Sequence, residues 1–158
     1  MGKTLIVFYS YTGNTRKLAN HIHTTIGGDI VEIETVALYE GEYNSVVKQG
    51  QDEVNSGYKS AIKALAVQLD KYDTIILGTP VWWYTVAPAV LTFLTENNFA
   101  GKKIIPFATN GGWIGHTFRN IKELCPDSEV KNEINIKYSG DKLSTSMKEI
   151  EKWMEDIK

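Results

Sequence analysis

The segment Ser10-Tyr11-Thr12-Gly13-Asn14-Thr15 gathers side-chain hydroxyls, one carboxamide and a glycine within six positions. It follows the apolar run Leu5-Ile6-Val7-Phe8-Tyr9 and precedes Leu18, Ile22 and Ile26, which recur at helical spacing. Hydroxyl and amide groups at the start of a helix can hold an anion, because the first backbone N–H groups are unpaired and the helix dipole favours negative charge. No lysine is needed for this. A turn with a helix cap would use only Thr12-Gly13-Asn14, so both readings stand at this point.

Two further segments have matching character. Thr79-Pro80-Val81-Trp82-Trp83-Tyr84-Thr85 places three large aromatic side chains in succession after an apolar run. Three such side chains cannot all enter one core from a loop, so at least one is expected at the surface or against a flat ligand, where stacking contributes ~0.5–1.5 kcal/mol beyond burial. Packing on a neighbouring helix or a second copy accounts for one tryptophan, but poorly for both. Thr109-Asn110-Gly111-Gly112-Trp113-Ile114-Gly115-His116-Thr117 pairs adjacent glycines with an aromatic, allowing close main-chain approach to a planar group.

The three segments contain no Asp, Glu, Lys or Arg. They offer no evident general acid or base. His116 is their only histidine and is expected to border a helix, and no catalytic or metal-ligating residue is assigned. Cys125, the single cysteine, precedes Pro126 at a predicted helix end and is read as an inert thiol. One cysteine allows neither an internal disulfide nor a cysteine metal cluster, and points to a reducing, cytoplasmic setting.

The elements that must carry these segments alternate along the chain. Predicted strands cover Leu5–Tyr9, Ile30–Val36, Thr74–Gly78, Lys103–Ala108 and Val130–Lys137, the last as a half-exposed edge. Predicted helices follow Leu18/Ile22/Ile26, Ile62/Leu65/Leu69, Val90/Leu91/Leu94, Phe118/Ile121/Leu124 and Leu143/Met147/Ile150/Met154/Ile157. Ala37–Ser56 is the least readable stretch, with Tyr39, Tyr43, Val46, Val47 and Val54 consistent with a short helix. The pattern predicts one doubly wound α/β domain over residues 1–158, with helices on both faces of a five-stranded parallel sheet. Ligands in such sheets sit beyond the carboxyl ends of the strands, where all three segments fall.

Bulk properties agree with a globular protein: 158 residues, 42% hydrophobic and 23% charged. A formal charge of −2 gives no electrostatic case for nucleic acid or an anionic membrane. Leu5–Tyr9 is too short for a signal peptide or membrane span, and Met1-Gly2 lacks the Ser or Thr at position 6 that myristoylation wants.

Ser10–Thr15 resembles the phosphate loop of flavodoxins, which has the form T/S-x-T-G-N-T. Gly78-Thr79-Pro80-Val81-Trp82-Trp83, with Pro88 and Thr92-Phe93-Leu94, resembles the compact bacterial branch of that family, as does Ala108-Thr109-Asn110-Gly111-Gly112 with Gly115. The resemblance covers essentially the whole chain and implies strand order 2-1-3-4-5 and an FMN cofactor. By that likeness Ser10, Thr12, Gly13, Asn14 and Thr15 would hold the phosphate, with Tyr11 in the same loop. Thr79, Pro80, Trp82, Trp83 and Tyr84, with Val81 among them, would line the flavin, while Thr109, Asn110, Gly111 and Gly112, with Gly115 beyond, would meet its ring edge.

The implied function is transfer of electrons between partner redox proteins, by a monomer or homodimer. The alternative is an NAD(P)H-dependent FMN oxidoreductase acting on quinones or similar acceptors. The chain departs from the family's electron shuttles in charge, since those are generally strongly acidic and this one carries only −2. Uncharged loops leave an anionic ring without a partner, which implies a low potential for the second electron.

Overall fold

The computed structural model describes residues 3–158; Met1-Gly2 lies outside them. Strand β1 (Thr4–Phe8) and helix α1 (Asn14–Ile26) are followed by β2 (Asp29–Glu32), α2 (Tyr43–Ser56), β3 (Thr74–Trp82) and β4 (Thr85–Val86). Next come α3 (Pro88–Glu96), β5 (Lys103–Asn110), α4 (Thr117–Leu124), β6 (Glu129–Val130), β7 (Ile134–Ser139), β8 (Lys142–Leu143) and α5 (Met147–Ile157). The long strands run in the order β2-β1-β3-β5-β7 and pair in parallel. This is the doubly wound order expected, read over five principal strands. The short strands β4, β6 and β8 enlarge the sheet to eight.

Alternation along β1 explains the two hydrophobic layers. Leu5 and Val7 face a cluster with Ile75, Leu77, Val90, Phe93 and Ile121, so α3 and α4 cover that side. Ile6 and Phe8 face the other, with Leu18 and Ile22 of α1 and Ile150, Trp153 and Met154 of α5. A strand buried on both faces must read as a continuous apolar run, and β1 does.

Several expectations change. Leu143, placed in the last helix, lies in β8, and β2 ends at Glu32 rather than Val36. The helix predicted on Ile62, Leu65 and Leu69 is absent. Ile62 instead bridges Thr35 in antiparallel fashion, Val36 N–H donates to Ala61 O at 2.9 Å, and Lys63 N–H donates to Glu34 O at 2.8 Å. The crossover from β2 to β3 needs one helix, and α2 supplies it from the stretch that was hardest to read. The apolar spacing survives because Ile62, Leu65 and Leu69 still reach the core from irregular chain, with a single 3-10 turn at Leu69–Lys71.

The edge strand divides into β6 and β7 around Asn132, whose φ is 54°. Lys103 and Ile104 pair with Glu129 and Val130, but pairing resumes at Phe107 with Ile134, so the edge carries one extra residue. Pro106, which has no N–H to offer a neighbour, lies within that interruption. Finally, β3 runs on through Thr79-Pro80-Val81-Trp82 and pairs with β4, so the expected loop is a hairpin whose turn is only Trp83-Tyr84.

Among the described residues no helix is long and apolar enough to cross a membrane. Cys125 is buried, and burial pushes its thiol up to about 11. Stability is therefore indifferent to this group below pH 9 and falls as pH rises from 9 through about 11, where only the unfolded chain ionises. Native protein is expected to resist a thiol reagent at about pH 8 and to react only on unfolding. Rapid labelling of the folded chain would contradict this.

Candidate functional site

The carboxyl ends of β1, β3 and β5 bring the three segments to one edge of the sheet. Ser10 is buried and its Oγ accepts from Gly13 N–H at 3.1 Å, curling the loop back on itself. Gly13 precedes α1 with φ of 106°, a left-handed conformation that a side chain would strain. No side chain caps α1, and the first turn holds no acid. Its leading N–H groups are thus not used up by the protein's own side chains. This removes the main support for a simple helix cap.

Thr15 is buried, with its Oγ1 2.7 Å from Thr109 Oγ1, joining the first segment to the third. Arg16 is the nearest cation in sequence, but it forms a bidentate pair with Glu32 (Nε–Oε1 2.9 Å, Nη2–Oε2 2.6 Å). An anion at this end would meet hydroxyls, an amide and backbone N–H groups, beside an Arg16 guanidinium already paired with Glu32.

A cavity of about 630 Å³ opens between these loops, within the ~300–1,000 Å³ usual for small-molecule sites. Its wall includes Tyr11, Thr12 and Asn14 from the first segment, Pro80, Val81, Trp82 and Trp83 from the second, and Thr109, Asn110 and Gly111 from the third. A smaller recess of about 410 Å³ adjoins it, sharing Val81, Trp83, Asn110 and Gly111 and adding Tyr84, Gly112 and Trp113.

Five of the sequence-predicted residues line neither cavity. Ser10, Gly13 and Thr15 support the loop from within or beneath. Thr79 is fully buried; its Oγ1 donates to Pro80 O at 2.8 Å and accepts from Ala87 N–H at 3.3 Å. Gly115 lines neither cavity and presses on Tyr84, whose Cβ and carbonyl O would lie 2.5 Å from a Cβ placed at 115.

The two tryptophans separate in role. Trp82 packs edge-on against Tyr9, Tyr11 and Tyr39, with ring centroids 6.1, 5.9 and 5.0 Å away. Burial raises the Tyr9 and Tyr39 hydroxyls above the usual phenol range, and the Tyr39 bond to Glu53 (2.6 Å) adds to the second shift. Neither ionises near neutrality. Trp83 borders both cavities, and its Nε1–H donates to Val47 O at 3.1 Å.

Sequence reasoning missed two parts of the wall. Tyr43, Val46, Val47 and Gly50 come from α2, while Tyr138 comes from the end of β7 and Gly140 and Asp141 from the turn to β8. Asn14 Nδ2–H donates to Gly140 O at 2.9 Å, tying that turn to the first segment. Asp141 brings an acid to a wall whose predicted loops are uncharged. Only the Tyr43/Val46/Val47 spacing offered a signal; nothing in the chain linked Asp141 to residue 14.

A family model described as flavodoxin matches residues 3–157. The chain is similar in structure to a candidate flavoprotein from Bacteroides eggerthii (27% identity, TM-score 0.82, 99% of this chain and 98% of that one). It also resembles a flavoprotein in complex with FMN from Lactobacillus acidophilus (20% identity, TM-score 0.72, 97% of this chain and 99% of that one). A third likeness is to a Fusobacterium nucleatum flavodoxin bound to flavin mononucleotide (15% identity, TM-score 0.57, 99% of this chain and 97% of that one). At their identities the last two are likenesses of fold. No curated protein sequence matches the chain.

Proposed function

Since the chain belongs to the flavodoxin family, we propose that it binds one FMN in the large cavity and passes electrons between redox partner proteins in the cytoplasm. The observation that carries this reading is the continuity of one cavity from the uncapped start of α1 to the wall formed by Pro80, Val81 and Trp83. A phosphate suits the first end and a flat ring the second. The flavin, when bound, supplies the redox chemistry.

The protein's part is to bind, orient and tune. Thr12 and Asn14 side chains, with the backbone of the first segment, hold the phosphate. Trp83 packs against the ring, and Asn110-Gly111 offers main-chain groups to its polar edge. Among the described residues no Lys or Arg lines the cavity and Asp141 does, so negative charge gained on reduction would meet no cation in the wall. The second electron is accordingly expected to enter at low potential.

A reductase using NAD(P)H and a small quinone-like acceptor is the second reading. The observation favouring it is the aromatic rim of the smaller recess: Trp113 and Tyr84 are 69% and 46% exposed there, and no charged residue lines it among the described residues, where a shuttle steered by charge would present acids. Purified protein titrated with FMN decides the common claim. Saturable binding with a perturbed flavin spectrum is expected, and its absence would sink both readings. Anaerobic bleaching by NADPH with quinone turnover would select the reductase. Trp83→Ala is expected to weaken FMN binding by about 1 kcal/mol, a lost stack; unchanged affinity would remove Trp83 from the ring site.

A further inference from the structure

The β3–β4 hairpin closes through two residues that are poorly suited to it. Trp83 and Tyr84 have φ of 49° and 71°, between the paired residues Trp82 and Thr85. Positive φ at both central positions is the pattern that favours Asn-Gly, because a bulky side chain strains the left-handed region. Among the described residues only one other non-glycine, Asn132, has positive φ, and asparagine tolerates it. Hairpin pairing alone would be served better by Asn-Gly. Something else therefore holds two aromatics there.

The turn is gripped from both sides. On one, Trp83 Nε1–H donates to Val47 O of α2 at 3.1 Å. On the other, His116 N–H donates to Tyr84 O at 2.9 Å, and Gly115, itself at φ 58°, lies so close that any Cβ would meet Tyr84 Cβ and O at 2.5 Å. Beside it Asn120 Nδ2–H donates to Thr85 Oγ1 at 2.6 Å. The result is a fixed indole at the wall shared by both cavities, and a Tyr84 ring 5.7 Å from Trp113.

We propose that Trp83-Tyr84 is a strained turn held by a clasp at Gly115-His116, and that fold stability is given up there to fix the aromatic wall of the ligand site. Gly115 is then a positioning residue acting through Tyr84, distinct from the ring contact that the sequence resemblance implied. The ligand half of the proposal rests on FMN binding as read above; the strain half does not. Backbone strain at ligand sites persists only where surrounding contacts enforce it, as they do here.

The test compares Tyr84→Asn, Tyr84→Gly and Gly115→Ala with the parent chain, measuring the thermal midpoint without ligand and the FMN dissociation constant. Tyr84→Asn relieves strain and keeps a side chain, so its midpoint should rise by on the order of a few °C. Tyr84→Gly should rise less, because glycine also loosens the unfolded chain. Both should bind FMN roughly tenfold more weakly, a change of about 1.4 kcal/mol. Gly115→Ala should lower the midpoint and the affinity together.

Opposite signs for stability and affinity in Tyr84→Asn are what a merely structural tyrosine would not produce. A midpoint that is unchanged or lower in both Tyr84 variants overturns the strain. A higher midpoint with parental affinity overturns its use in positioning, and parental affinity in Gly115→Ala overturns the clasp. If the parent itself fails to bind FMN, the proposed function and the ligand half fall, while the midpoints still decide the strain.

Discussion

Trp82→Ala is expected to lower folding stability by roughly 3 kcal/mol, the lower end for loss of a large core aromatic, because the indole is only partly buried. The indole sits among Tyr9, Tyr11 and Tyr39 and lies against Gly50, where an added Cβ would come within 3.1 Å of the ring. Its removal empties the space that joins α2 to the end of β3. Tyr11, which lines the cavity, loses its edge-on partner on the same side, so the cavity wall loosens with the fold. Urea denaturation measures the first effect and FMN titration the second. Trp82→Phe, which keeps a ring in place, should recover more than half of the lost stability. A loss below about 1 kcal/mol in the alanine variant would mean that the aromatic cluster packs without Trp82.

Gly78→Ala is the second large expectation, for the opposite reason. Gly78 in β3 is the register partner of Phe107 in β5, and a Cβ at 78 would meet the phenyl ring at 2.2, 2.6 and 2.9 Å. Phe107 is fully buried and packs edge-on to Trp153 at 6.2 Å, so it has little room to swing aside. Overpacking of this kind costs about 1–3 kcal/mol, which should appear as a lower denaturation midpoint. The decisive comparison is the double variant Gly78→Ala/Phe107→Leu. Losses that fall short of the sum of the two single variants demonstrate the clash through their coupling. Strict additivity would show that Gly78 matters for some reason other than Phe107.

These two positions also show which parts of the molecule could be read from its sequence. The order of the principal strands and the covering of both sheet faces follow from runs such as Leu5–Tyr9, since burial on two faces leaves only one residue pattern. The three segments at the carboxyl ends followed from that order. Helical spacing at Ile62, Leu65 and Leu69 misled because periodicity reports which side chains are buried, and an irregular chain lying on the core can bury the same set. The length of β3 was hidden because Trp83-Tyr84 carries none of the glycine or asparagine that marks a hairpin turn. Contributions from the β7–β8 turn were hidden for another reason: Asp141 adjoins Asn14 only through contacts between distant parts of the chain.

That long-range tie has a consequence for biosynthesis. Asn14 and Gly140 are 126 positions apart, yet their hydrogen bond fixes one end of the cavity. A nascent chain emerging N-terminus first presents Ser10–Thr15 early, but cannot close the site until the β7–β8 hairpin has left the ribosome. Helix α5 emerges later still, and with it Trp153 and Met154, which complete the layer beneath α1. Closure of the cavity is thereby deferred until the β7–β8 hairpin has been made, and a truncated product lacking that hairpin is left with an open-ended vessel.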